Sequence, residues 1–498
     1  MQQKIIDRTA FLIPALVFLL FVVYRICLVY YPQPDAGGVE GNVIFFIQRL
    51  LNGQHVYTDP ERGSFAIAQY TPLYYYLVAG MARLAGITAD NLEQVYQVSR
   101  IFSLLLNLVF AGMIYSAGRR LFGMPVQKCL AAGALSFIFL EITSFSRPDS
   151  LLHVLMIASV YFFLSSAKTT ARTARRNYLL LASFIAAIAV FAKQTAIILP
   201  VLFTGCMLPG KRWRELPVAV AVYLLTVATG LFFIVASGEG TYFLSNIIGG
   251  ISNGFRFSWF RSVIFEDFYL SFGLILVPAF FFLLWKTQQD KNGLLRLTGL
   301  LIAGLFVLEN MLVLKHGSNI GYFTEWWSLL FLLLAYYWPA KGEYQGLSVL
   351  MNAVFCFICL VKAFTLAAPL GNMRNDRQFA SARQRLNGEM QLARYIEQKD
   401  PSSSGPDVFT NFNTAESFLS NLLFRRAVGP QMDIIGLSSY EDKTYNYSGL
   451  LEALHSGQVR WVIMRTQGPQ LVFFDHKLDR FKPDTVMAGF SIYKYQPE

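Results

Sequence analysis

The chain has 498 residues, 54% of them apolar and 15% charged, with a formal net charge of +11. That balance excludes a soluble enzyme of this length, and no basic-aromatic module argues for nucleic acid. Several runs of roughly 18 or more apolar residues, each long enough to span a bilayer, define a multi-pass membrane protein.

The first run, about Thr9 to Tyr31, is too long for a signal-peptide core and is read as a retained helix. With Lys4 and Arg8 inside, it delivers Tyr30-Tyr-Pro-Gln-Pro-Asp-Ala-Gly-Gly-Val-Glu40 to the outer face. The outer segment 31–98 has no clean span. It holds a helix expected over Asn42 to Leu51 and a short, tyrosine-rich run, Leu73 to Leu84, suited to the membrane interface. The second span, about Ser99 to Ser116, returns to Arg119, Arg120 and Lys128. The third, Leu130 to Ser144, places Ser146-Arg-Pro-Asp149 outside, and the fourth, Ser150 to Ser166, ends at Lys168, Arg172, Arg175 and Arg176.

The fifth span, Tyr178 to Phe191, presents Lys193-Gln-Thr195, and a short sixth returns to Lys211-Arg-Trp-Arg214. The seventh, Pro217 to Ala236, opens a second outer loop, 237–267. The eighth returns to Lys286 and Lys291, and the ninth rises to Lys315-His-Gly-Ser-Asn-Ile-Gly-Tyr-Phe-Thr-Glu325. The tenth returns to Lys341, and the eleventh, about Leu347 to Ala367, exits outside. In this arrangement every dense Lys/Arg cluster in a short loop falls on one side. Asp35, Asp149, Lys193 and Glu325 then share the other face.

Residues 1–370 are thus expected to form a helical membrane domain and 371–498 a small outer α/β domain. The latter carries 15 Lys/Arg and 14 Asp/Glu, so the basic excess, 27 against 17, belongs to the membrane part. Gln378 to Lys399 has helical periodicity, Val408 to Phe412 and Trp461 to Met464 look like buried strands, and Gly489 to Tyr495 alternates like a final edge strand. All five cysteines lie in or beside apolar runs. Cys356 and Cys359, one helical turn apart, read as packing surface.

Ionisable residues at helix ends facing a shared cavity are costly unless paired, so each is a site candidate. Asp35, between Pro34 and Gly37-Gly38, suits a general base or an Asx turn. Glu40 could be a second base, a metal ligand or a helix cap. Asp149 caps its helix or orients an acceptor hydroxyl, with Arg147 beside it. Lys193, a cation against the positive-inside bias, is a natural phosphate ligand. Gln194, Tyr70, Lys315, His316, Asn319, Tyr322 and Glu325 supply further groups for a phosphate or a sugar. His153 reads as a packed or capping histidine. Asp35, Glu40 and Asp149 are the carboxylates for a divalent cation, if one is used.

The inward loops, about 8–13 residues long, cannot build a nucleotide-sugar domain. A group-transfer enzyme of this design takes its donor from the bilayer, and no nucleotide cofactor is expected. A polyprenyl-phosphate-linked sugar fits, and one-step displacement inverts the anomeric carbon. A lipid-linked-sugar flippase, a secondary transporter and a non-catalytic scaffold subunit are the competing classes. Transporters tend to show repeated halves and mid-membrane ionisable groups, and no matching halves are found.

Asp35 with Glu40, Gly53-Gln-His-Val-Tyr57, Tyr70-Thr-Pro-Leu-Tyr-Tyr-Tyr76, Arg147-Pro-Asp149-Ser150, Lys193-Gln-Thr195 and the Gly317-to-Glu325 loop together resemble the GT-C superfamily of polyprenyl-phosphate-sugar-dependent glycosyltransferases. The nearest branch holds the protein O-mannosyltransferases and the lipid A aminoarabinose transferase. The resemblance implies an inverting transferase with Asp35 as base, interfacial helices in the first loop and an outer C-terminal domain. The loop charges set the N-terminus in the cytoplasm, and the expected setting is a bacterial inner membrane with a periplasmic C-terminal domain and a glycolipid, polysaccharide or protein as acceptor. The five-residue spacing of Asp35 and Glu40 departs from the commoner Asp-Glu pair.

Overall fold

The structure is a computed structural model that describes residues 2–35, 38–140, 144–208, 212–251, 254, 256–315, 317–338, 345–401, 405–410, 417–429, 445–466 and 479–497. Helix α1 (Gln2–Tyr30) is followed by two short helices, α2 (Val39–Leu51) and α3 (Leu73–Leu84). Then come α4 (Leu92–Arg120), α5 (Val126–Ile138), α6 (Asp149–Lys168) and α7 (Arg172–Ala192). A 3₁₀ turn, Gln194–Ile197, leads into α8 (Ile198–Met207), which precedes α9 (Leu216–Ala236), α10 (Gly240–Ile251) and α11 (Phe257–Arg261). A π-helical stretch, Ser262–Gly273, opens α12 (Leu274–Gln289). Helices α13 (Gly293–Val313), α14 (Thr324–Tyr336) and α15 (Gln345–Arg374) complete the membrane part.

Among the described residues, 7 helices are long and apolar enough to cross a membrane, and four shorter apolar segments lie between them. Together they follow the order of the eleven apolar runs read in the sequence. The short ones have local causes. Pro125 admits α5, and Lys193 takes an extended backbone, φ −159°, that breaks α7 from the 3₁₀ turn and α8. The ends of α4 and α6 meet where Lys168 Nζ donates to the carbonyls of Arg120 and Leu121, at 2.6 and 3.0 Å. The Arg119, Arg120 and Lys168 cluster thus lies at one end of the bundle, and Asp149 at the other end of α6.

Helices α2 and α3 lie above this bundle and are packed by apolar faces (Val43, Phe46, Ile47 with Tyr74, Tyr75, Val78). Helix α2 starts three residues before the expected Asn42, because Gly38 adopts φ +71° and turns the chain directly into it. Such a left-handed angle is easy for glycine and strained for other residues.

The C-terminal region is a small sheet domain. Helix α16 (Asp376–Lys399) precedes β1 (Val408–Thr410), α17 (Leu419–Leu422), β2 (Ala427–Val428), α18 (Ser448–Ser456) and strands β3 (Trp461–Arg465), β4 (Phe481–Met487) and β5 (Phe490–Tyr495). Asn375 starts α16 by accepting from the Arg377 and Gln378 N–H groups, a side-chain N-cap. The strand order is β2-β1-β3-β5-β4, with β1 parallel to β2 and β3, and β5 antiparallel to β3 and β4. Leu392, Ala393 and Ile396 of α16 bury one face of the sheet with Val408, Trp461, Ile463 and Ile492.

The expected final edge strand is therefore corrected: Phe490–Tyr495 is internal, and β4 forms the edge. Positive φ at both Ala488 and Gly489 makes a two-residue hairpin turn between them. Exposed Lys482 and Asp484 on β4 are the polar dressing that protects an edge. This is why the segment does not read as a strand in the sequence. Of the expected strand to Phe412, residues 411 and 412 lie outside the described set.

A buried amide links the sheet domain to α2 and α4. Asn421 Nδ2 donates to Gly41 O (3.0 Å) and Gln48 Oε1 (3.2 Å). Gln48 Nε2 donates back to Asn421 O (3.1 Å), and Tyr96 OH donates to Asn421 Oδ1 (3.3 Å).

Candidate active site

Asp35 lies between the end of α1 and the Gly38 turn, and its carboxylate is 2% exposed. One oxygen accepts the Glu40 N–H, five residues on, at 3.1 Å, and the other takes Arg147 Nη2 at 2.6 Å. Asp35 thus closes the turn with one oxygen and holds an ion pair with the other. Burial pushes its carboxyl above the ordinary range, the Arg147 guanidinium pulls against that rise, and the charge of Glu40 adds to it.

Glu40 has a different fate. It is fully buried, and both of its oxygens are held at 2.7 Å by Arg100 of α4, while Ser146 N donates to it at 3.1 Å. Arg100 also donates to the carbonyls of Leu28, Tyr31 and Gln33. This arrangement corrects the idea of Glu40 as an open base or metal ligand. It locks the loop carrying Asp35 onto α4. Arg100 was not singled out by sequence, because at the head of an apolar run it looks like an ordinary interfacial charge.

Lys193 is likewise not a lone cation. Its ammonium contacts Asp149 Oδ1 at 2.6 Å and lies 4.8 Å from the Tyr322 ring centre and 5.4 Å from that of Tyr70. Asp149 is the first residue of α6, where a carboxylate also favours the helix dipole. Burial lowers the proton affinity of Arg147, and Asp35, Tyr70 and Asp149 together outweigh it and raise that affinity, so the two ion pairs neighbour each other. Gln194 Nε2 donates to Gln69 O at 3.1 Å, fixing the turn after Lys193.

One turn into α6, His153 Nδ1 meets Glu325 Oε1 at 2.6 Å, so the expected packed histidine is hydrogen-bonded to a buried carboxyl group. Asp149, His153, Thr195, Glu309, Tyr322 and Glu325 line one small cavity. Glu309, on α13, is a residue that sequence reading missed inside an apolar run. It is 1% exposed and neither oxygen has a hydrogen bond of normal geometry, the Trp326 N–H giving only a weak contact. Asn319 spends its side chain on the Gly321 N–H (2.9 Å), turning the loop that offers Tyr322. Lys315, half-buried beyond α13, does not line this cavity. His316 lies outside the described residues, as do Gly37, Lys211 and Lys341.

Around the two pairs, Thr71 Oγ1, Ser146 Oγ, Arg147 Nε, Gln194 Oε1 and Thr195 Oγ1 are buried without a partner among the described residues. Buried polar atoms are nearly always hydrogen-bonded in folded proteins. These unmet donors and acceptors lie beside the two ion pairs, where a ligand could satisfy them. The set does not fit a divalent cation: Asp35, Glu40 and Asp149 each face a cationic side chain. Among the described residues no three His, Cys, Asp or Glu side chains converge on a metal position.

Comparison with known proteins gives concordant matches of two kinds. The family model for dolichyl-phosphate-mannose-protein mannosyltransferases matches residues 69–237, the stretch holding Tyr70, Arg147, Asp149, Lys193 and Gln194. The structure of ArnT from Cupriavidus metallidurans bound to undecaprenyl phosphate superposes with a TM-score of 0.61 at 14% identity, covering 97% of this chain and 99% of that one. The chain thus has the GT-C type of fold over almost its whole length. The apo form of the same ArnT gives 0.62 at 14% identity, over 97% and 99% of the two chains. The Archaeoglobus fulgidus oligosaccharyltransferase in its apo form gives 0.53 at 11% identity, over 91% of this chain and 69% of that one. No curated protein matches in sequence. The chain is thus similar, over part of its sequence and in its fold, to membrane glycosyltransferases.

Proposed function

We propose that this GT-C protein transfers a sugar from a polyprenyl-phosphate carrier to a cell-envelope acceptor, with inversion, at the end of the bundle that holds Asp35. The single observation that carries the reading is the set of unpartnered buried polar atoms around the Asp35–Arg147 and Asp149–Lys193 pairs. Phosphate oxygens fit it: Arg147 keeps its Nε free of protein partners while Nη2 holds Asp35, and Lys193 carries three donors of which Asp149 needs one.

In this reading Asp35 takes the proton from the acceptor hydroxyl as that oxygen bonds to the anomeric carbon. The bond from the anomeric carbon to the phosphate oxygen breaks, and the electron pair leaves with the polyprenyl phosphate. Arg147 and Lys193 stabilise the phosphate charge as it develops. Its buried setting suits Asp35 to the task, since a carboxyl raised towards neutrality is a stronger base than an exposed one. Tyr322 and Tyr70, both facing Lys193, supply aromatic walls for the sugar. Asp149 and Glu325 are positioning carboxylates held by Lys193 and His153. The reading sets the C-terminal sheet domain in the periplasm of a bacterial inner membrane, with residues 1–370 as the catalytic membrane part.

The test is transfer by the purified protein. Incubated with a labelled polyprenyl-phosphate hexose or pentose and an envelope extract, the enzyme releases polyprenyl phosphate and yields a product of inverted anomeric configuration. Retention of configuration, or no consumption of any lipid-linked sugar in a panel, overturns the proposal.

A further inference from the structure

At the opposite end of the bundle, a cavity of about 530 Å³ is lined by Arg172, Arg175, Arg176, Leu179, Leu180, Arg214, Glu215 and Val218. Helix α6, which starts at Asp149, has 20 residues and so separates this cavity from the ion pairs by about 30 Å. It belongs to a different membrane surface from the proposed active site.

Its electrostatics are one-sided. Four arginines face a single acid, Glu215, which already binds Arg175 at 2.7 Å and Arg212 at 2.6 Å. Arg172 and Arg176 have no ion-pair partner among the described residues. Three of the arginines occupy the first five residues of α7, a helix with no acidic residue in its first turn and no side-chain cap. Cations there oppose the helix dipole, and α9 brings a second uncapped N-terminus to the same cavity. Every local term therefore favours an anion.

The remaining wall says which kind. Leu179, Leu180 and Val218 line it, and Val218 continues into the exposed apolar surface of Leu224 and Leu225 on α9, as does α7 through Leu181 and Phe184. Trp213, exposed and 5.3 Å from the Arg214 guanidinium, sits beside it as interfacial tryptophans do. Guanidiniums above and bilayer-facing apolar side chains below match a phosphate with acyl chains attached, not a soluble anion. We propose that this cavity binds an anionic glycerophospholipid, its phosphate on Arg172, Arg176 and Arg214 and its chains along Leu180 and Val218.

The experiment uses the full chain in vesicles of phosphatidylcholine containing a minority of phosphatidylglycerol, with lipids retained after release counted by native mass spectrometry. The wild type retains phosphatidylglycerol in excess of its share. The R172Q/R176Q variant loses that excess by about 10- to 30-fold, and R172K/R176K keeps most of it. No enrichment in the wild type, or enrichment untouched by the glutamines, overturns the site. A second measurement needs no variant. In phosphatidylcholine, added phosphatidylglycerol raises the wild-type thermal midpoint, and rising salt reduces the shift. The absence of a shift, or an equal shift from inorganic phosphate alone, overturns the lipid assignment.

Discussion

Arg100 holds both carboxylate oxygens of Glu40 at 2.7 Å while its other donors bind the carbonyls of Leu28, Tyr31 and Gln33. All five N–H donors of the guanidinium are used. The loop that carries Asp35 is therefore shaped from α4, 60 residues away in sequence from Glu40. Arg100→Ala strands a buried carboxylate and is expected to destabilise the fold by about 3–5 kcal/mol. Arg100→Lys keeps the charge but not the five-donor geometry and does not rescue it. Thermal unfolding in detergent reads both, and unchanged midpoints count against the lock.

The Lys193–Asp149 pair separates structural from chemical roles. Removing either partner alone leaves a buried charge, so Lys193→Ala and Asp149→Ala each lower stability, while the double variant recovers part of the loss. Sugar transfer does not recover, because the phosphate still lacks its ammonium. A double variant that regains wild-type transfer removes Lys193 from donor binding.

The pH dependence has two opposite signs. Burial raises the Asp35 carboxyl above 3.8, so the folded state holds that proton more tightly than the unfolded chain does. The stability that Asp35 contributes is fully present below pH 3.8 and is lost as pH rises through the raised value. Activity runs the other way, since only the carboxylate accepts a proton. The acid limb of kcat/KM is expected to have its midpoint above 3.8. A limb at or below that value contradicts the role.

Asn421 joins the sheet domain to α2 and α4 through four hydrogen bonds. Asn421→Ala keeps its backbone carbonyl on Gln48 but leaves Gly41 O and Tyr96 OH without their buried partner, each at a cost of about 1–3 kcal/mol. Faster proteolytic release of a fragment near residues 371–498, with the membrane part intact, is the expected readout. Unaltered cleavage argues that the flanking pairs, Arg383–Glu93 and Arg425–Asp90, hold the docking unaided.

The helical order of the fold is legible in the sequence because apolar run length and loop charge are strong local signals. The candidate acids and bases are legible too, as polar residues at the ends of such runs. Their partners are not. Asp35 and Arg147 are 112 residues apart, and His153 and Glu325 are 172 apart. Nothing local says that Glu40 is spent on Arg100 or that Lys193 is paired. Glu309 is hidden by the leucines around it, and β4 by the proline and charges that guard a sheet edge. The alternation of β5 indicated a strand, but its neighbours on both sides were beyond what periodicity reports.

The central claim is that the Asp35 carboxylate is the general base. Steady-state transfer by Asp35→Asn, measured beside donor binding and the thermal midpoint of the same variant, tests it most directly. The expected result is a fall in kcat of about 10²- to 10⁴-fold, with donor affinity close to wild type and a folded protein. Undiminished transfer by that folded variant contradicts the account.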